Sequence, residues 1–215
     1  VGSGNKLLGG DNAILGQTTV PLVTQMANHL GVAGGRFTGS ELVTVMAGGN
    51  DAIIQTGTYT ATVAAAAASG GASAAASAAP AAAAAAVAAM TTAGTELANL
   101  VKNEVLAKGA AYVVVVNLPN VAMTPYGALN EAGLPGTKAV IDAMVKAFNS
   151  ALASGVSNVA GVKLVDAYAT SSAQVATPAA FGLSNVTSTA CDLTAASNPL
   201  GSSLTCNTAN VVTGD

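Results

Sequence analysis

Residues Ala111–Asn117, AYVVVVN, constrain the fold more than any other stretch of this chain. Four consecutive valines with no polar alternation predict a strand buried on both faces. Strands of that kind sit in the middle of parallel sheets covered by helices on either side. A second apolar run, Leu42–Ala47, has Val43 and Val45 to favour an extended strand, and Val162–Val165 is a third. Helical patterns separate the three. The order βαβαβ predicts an α/β fold with adjacent parallel strands near 41–47, 111–117 and 162–166, right-handed crossovers and helices on both faces.

The intervening segments carry helical signals of unequal strength. Pro21 suits a first helical turn, with Thr18 or Thr19 as cap. Leu22, Val23, Met26, Ala27 and Leu30 mark one face, and Gly31 ends that helix. Thr137–Ala153 is amphipathic, with Val140, Ile141, Met144, Val145, Phe148 and Leu152 inward and Gly155 as its close. Between the first two strands, 20 of the 30 residues from Ala61 to Met90 are alanine. Alanine favours helix but buries little, so about 61–80 reads as a low-complexity insertion in a single domain spanning 1–215. Pro80 is a start point for a new helix, Gly94 a possible kink in it, and Lys108-Gly109 its end. Val1–Gly16 and Asp166–Asp215 read as loop-rich.

Composition narrows the partners. Only 8% of residues are charged, 3% are aromatic, the net charge is −3 and no basic patch occurs, which argues against nucleic acid. The alanine tract is too weakly apolar, and too often broken by Ser, Gly and Pro, to read as a transmembrane segment. Gly2-Ser3-Gly4 followed by Leu7 fails G-x-G-x-x-G, so dinucleotide binding is disfavoured, and no cofactor or metal pattern is present. Cys191 and Cys206 match neither CxxC nor a zinc pattern; they read as a disulfide or as two free thiols. A bridge implies an oxidising compartment.

The candidate site follows the first strand, in Glu41–Ile54, ELVTVMAGGNDAII. A strand ending in Gly48-Gly49 and then presenting Asn50 and Asp51 delivers polar groups to the carboxyl edge of the sheet, where ligands of parallel α/β folds bind. The same residues also suit a plain strand-to-helix turn capped by Asp51. Asn117 and the Leu118–Pro125 loop end the second strand on the same edge. His29, the only histidine, reads as a surface residue of its helix. Gly182-Leu183-Ser184-Asn185-Val186 approaches a nucleophile elbow but lacks its final glycine. Asn185-Val186-Thr187 matches a glycosylation sequon.

ELVTVMAGGNDAI resembles the G-x-N-D block of the SGNH, or GDSL, hydrolases. The flanking order is similar too: VPLVTQMANHL before it, AYVVVVNLPNVAMTP after it, then KLVDAYA and FGLSNVTSTACDL with a second cysteine following. This succession resembles bacterial secreted GDSL esterases, including autotransporter passengers. It implies a three-layer α/β/α sandwich with a parallel sheet in flavodoxin-like order. The implied function is hydrolysis of small-molecule or lipid carboxylic esters by a serine nucleophile and an oxyanion hole, without a cofactor, in the periplasm, at the cell surface or outside.

The resemblance implies Asn50 as oxyanion-hole donor, Gly48, Gly49 and Asn117 beside the substrate, and Asp51 as a structural brace. The family's G-D-S nucleophile block and its D-x-x-H block do not occur here. The chain therefore reads as an internal fragment, incomplete at both ends and inactive alone. The alternative is a non-catalytic secreted surface or binding module.

Overall fold

The three apolar runs pair as expected. In a computed structural model, which describes residues 20–198 and 206–212, β1 (Leu42–Met46), β2 (Tyr112–Val116) and β3 (Val162–Val165) form one parallel sheet in the order β1-β2-β3. The register sets Val43 beside Val113 and Val45 beside Val115, and Val113 beside Val162 and Val115 beside Leu164. These side chains form the floor of the hydrophobic core.

Around the sheet, in chain order, lie α1 (Leu22–Val32), α2 (Gly49–Leu100), α3 (Pro125–Gly133), α4 (Thr137–Val156) and α5 (Ala167–Ala176). Two right-handed crossovers in the strand order 1-2-3 necessarily lay their helices on the same face. Accordingly α2 and α4 pack side by side, with Met90, Leu97, Val101, Ile141, Met144 and Phe148 fully buried between them and the valines. Gly94 does not kink α2. It is the point of closest approach, where a β-carbon would strike the Phe148 carbonyl oxygen of α4. Gly155 likewise lies inside α4, against Ala98, and does not end it.

Helical cover on both faces was expected from the valines of β2. Among the described residues it is found on one. The opposite face carries Leu42, Met46, Tyr112 and Val165 at 66, 58, 62 and 40% exposure, with Val114 and Val116 half-buried between them.

The alanine segment is helical throughout but not straight. Gly70 (φ −144°, ψ 15°) and Gly71 (φ 70°, ψ −165°) leave helical geometry together. The helical path from Gly49 to Lys108 would be about 90 Å long if straight, whereas the end of β1 and the start of β2 are only about 15 Å apart along a shared sheet. The chain must therefore double back, and the two glycines are the only non-helical residues in α2 at which it does so. The outgoing arm, 49–69, is about 31 Å long and the returning path, 72–108, about 55 Å, so the return exceeds the arm by about 24 Å, enough to pass from the carboxyl edge of the sheet to its amino edge. Ala75 on the return shares a groove with Val63 and Ala67 on the way out. The hairpin projects beyond the carboxyl edge of the sheet. No Asp, Glu, Lys, Arg or His occurs from Ala52 to Thr95.

Pro80 lies within the returning arm, so the new helix begins after Gly71 and not at the proline. By length and composition alone, Gly49–Lys108 and Thr137–Val156 are both apolar enough to cross a membrane; the second is α4, whose apolar face fills the core.

Two further differences and one agreement are local. α1 runs through Gly31 to Val32, and Pro21 is its N-cap; Thr18 and Thr19 fall outside the described residues, as does Val1–Gly16. After β3 the chain forms α5 where a loop was expected, because Asp166 caps it by accepting from the Ala169 N–H at 3.0 Å. Cys191 and Cys206 are joined as a disulfide, and an isolated antiparallel bridge pairs Cys191 with Val211.

Candidate functional site

The carboxyl edge of β1 is built by a glycine turn. Gly48 has φ 106°, a backbone conformation that side chains disfavour, and a β-carbon there would run into the ring of Phe148. The N-cap of α2 is Gly48 and not Asp51. Gly49, Asn50 and Asp51 are instead the first three residues of the helix. Their backbone N–H groups belong to the turn that has no intrahelical acceptor, and the positive end of the helix dipole lies there. Asp51 is buried at 8% exposure, in the first turn, where a carboxylate is favoured. Asn50 is exposed.

Asn50 and the two glycines line a cleft of about 390 Å³ with Leu22 and Gln25 of α1, Met46 of β1, and Leu118, Pro119 and Val121 from the loop after β2. Gln25 was not anticipated; its Nε2 donates to the Val20 carbonyl at 2.7 Å, which folds the side chain back on the start of its own helix.

Asn117 lies at the same edge, but its carboxamide faces β3. Nδ2 donates to Asp166 Oδ1 at 2.9 Å, and Oδ1 accepts from the Tyr168 N–H at 3.1 Å. It joins the end of β2 to the start of α5 and does not line the cleft with Asn50. That Asn117 bond, together with the Ala169 N–H, holds the Asp166 carboxyl below the usual carboxylate range.

The loop that does line the cleft is clamped by Asn149 of α4. Its Oδ1 accepts from the Leu118 N–H at 2.8 Å and its Nδ2 donates to the Leu118 carbonyl at 2.9 Å. The Asn120 N–H donates to Ser171 Oγ at 2.8 Å. Asn149 could have been noticed in the sequence as a polar residue directly after Phe148 on an otherwise apolar stripe.

His29 is at the other end of the sheet. It stacks on Phe37 with ring centroids 5.4 Å apart, beside Glu41–Thr44 at the start of β1. Ser184 sits on an exposed loop after the 3₁₀ turn Pro178–Phe181, with no preceding strand to form an elbow. Asn185 turns its Oδ1 back to the Thr187 and Ser188 N–H groups. Among the described residues, no cluster of three or more His, Cys, Asp or Glu gathers to hold a metal ion.

No protein-family model, curated protein or solved structure matches the chain. The chemistry has to be read from the cleft itself. Its polar equipment is a set of N–H donors at a helix N-terminus, the exposed carboxamides of Asn50 and Gln25 and the buried carboxyl of Asp51, on apolar walls. Such a site can stabilise negative charge on an oxygen and cannot by itself attack a carbonyl.

Proposed function

We propose that this chain supplies the oxyanion-binding part of a serine-type carboxylic ester hydrolase, with a fold completed as a three-layer α/β/α sandwich of the SGNH kind. The observation that carries the reading is Asn50, an exposed carboxamide in the first turn of a helix at the carboxyl edge of a parallel strand. A donor held there stabilises the tetrahedral oxyanion more than the ground-state ester. The apolar face of the sheet opposite α2 and α4 supports a further layer of helices, since parallel strands are normally covered on both sides. The disulfide suits an oxidising compartment, consistent with a secreted, periplasmic or cell-surface protein.

In this reading Gly48 and Gly49 give the substrate close access to the backbone, Asp51 braces the turn, and Asn117 positions the edge through Asp166. The nucleophile and its base come from outside the residues seen here. The test is p-nitrophenyl butyrate hydrolysis. The 215-residue chain should not exceed background, whereas the complete gene product should turn over. In that product Asn50→Ala should lower kcat by roughly 10²–10³-fold with little change in KM, the size of one oxyanion-hole donor. Turnover by the chain itself, or full kcat in the variant, overturns the reading.

The second reading, a non-catalytic surface or binding module, is favoured by one observation: among the described residues no histidine or activated serine lies at the cleft. A complete gene product without esterase activity would support it.

A further inference from the structure

A second cavity of about 550 Å³ opens between the outgoing arm of the α2 hairpin and α3. Its walls are Thr60, Val63, Ala64 and Ala67 on one side and Leu129 and Leu134 on the other. α3 is held against the arm at Tyr126, whose phenol is pushed up by burial, an effect opposed by the side chains of Thr56 and Asn130. We infer that this groove binds a long hydrocarbon chain, the acyl chain of an ester whose carbonyl lies at Asn50.

Three observations carry it. First, the groove and the cleft open off the same face of the outgoing arm. Asn50, Ile53, Gly57, Thr60 and Ala64 succeed one another at spacings of three and four, so they lie on one face of the arm. Ile53 is 41% exposed, and the space above Gly57 is open, since a β-carbon there would meet nothing within 4 Å. The face of the arm between the carboxamide and the groove is therefore open at Ile53 and Gly57. Second, the hairpin has no charged residue from Ala52 to Thr95, so the arm offers no ionic partner to a polar ligand. Third, the volume falls within the range of roughly 300–1,000 Å³ usual for small-molecule sites, lined here almost wholly by apolar side chains.

The geometry also sets a length. Thr60 lies about 15 Å along the helix axis from Asn50. An extended chain advances roughly 1.2 Å per bond, as the extended peptide backbone does. An acyl chain anchored at Asn50 reaches the groove only beyond about twelve carbons. The direction of the chain rests on the ester-hydrolase reading; the affinity of the groove for hydrocarbon does not.

The experiment is an equilibrium titration of the 215-residue chain with cis-parinaric acid, followed by its own fluorescence, with palmitate and hexanoate as competitors. Palmitate should displace the probe and hexanoate should not. Ala64→Glu and Leu129→Gln change exposed positions, and Glu is a good helix former, so both variants should keep the wild-type circular dichroism. Each should weaken probe binding by roughly tenfold or more, because a polar group would be placed in the apolar groove without a partner. Ala65→Glu, which does not line the groove, should bind as the wild type does. Absence of saturable binding, equal displacement by hexanoate, or undiminished binding in Ala64→Glu and Leu129→Gln overturns the inference; the last result would place the probe on the open sheet face instead. Probe binding by the 215-residue chain tests the groove and turnover by the complete product tests the esterase reading, so failure of one and failure of the other give different results.

Discussion

Gly48 crosses the ring of Phe148 with no room for a β-carbon between them. The turn that presents Asn50 is therefore shaped by a core side chain of α4, 100 residues away in the sequence. Gly48→Ala should lose about 3 kcal/mol, combining overpacking against Phe148 with a disfavoured backbone conformation. Adding Phe148→Leu should recover part of that loss, so the double variant should be less destabilised than the sum of the singles. Chemical denaturation of the four proteins measures it. Strict additivity would show that the ring does not set the turn.

Acid should weaken the junction between β2 and α5. The Asp166 carboxyl is held below its usual range first by the Asn117 amide and then by the Ala169 N–H. A group depressed in the folded state contributes stability above its unfolded value, and that contribution is lost as pH falls through the folded value. The urea midpoint of the wild type should therefore fall below about pH 4 more steeply than that of Asp166→Asn, which has no carboxyl to protonate. Glu41, held at about 2 chiefly by the Thr38 N–H, should keep its contribution until the pH falls to about 2. Parallel acid profiles for wild type and Asp166→Asn would contradict the assignment.

Much of the sheet was legible because apolar β-branched runs have few other outcomes. β1, β2, β3 and the inward face of α4 lie where their residues predict. What could not be read has physical reasons. A run of alanines has no periodic contrast, so neither the hairpin nor its reversal at Gly70-Gly71 shows in the pattern. Gly94 and Gly155 look like helix breakers in sequence and act as close-approach points, a role visible only when the partner helix is in place. α5 was missed because its signal is a single capping aspartate, Asp166, ahead of a small polar helix with no buried residues. At the candidate site, the Asn50 turn was legible, but the tie from Asn117 to Asp166 is long-range.

The open sheet face should make the isolated chain associate. Met46, Val116 and Val165 are neighbours in register, and β1 and β3 are both edges of the sheet. Exposed apolar patches and unpaired strand edges promote such contacts. Size-exclusion chromatography with light scattering should find species larger than a monomer. Met46→Lys with Val165→Lys should shift them toward monomer, and each exposed substitution should change stability by only about 0.5 kcal/mol. A wild-type chain that is already monomeric, with a sharp cooperative melt, would contradict this.

The Cys191–Cys206 bridge is testable separately. Intact mass should rise by two protons on reduction. Closing a loop of about 15 residues is worth roughly 3 kcal/mol in the chain-entropy model, if the tail unfolds with the rest. Should reduction leave the melting temperature unchanged, the tail is energetically independent of the sheet.

The two glycines at the end of the alanine arm make the crossover tolerant in an unusual way. The distance from β1 to β2 restricts only how much longer the returning path is than the outgoing one; it leaves their sum free. Removing about seven residues from each side of Gly70-Gly71, close to two helical turns per side, would shorten the projection by about 10 Å while leaving both strands in place. Adding the same number would lengthen it equally. Reach beyond the sheet edge is thus an adjustable dimension of this protein, separable from the packing that holds it folded.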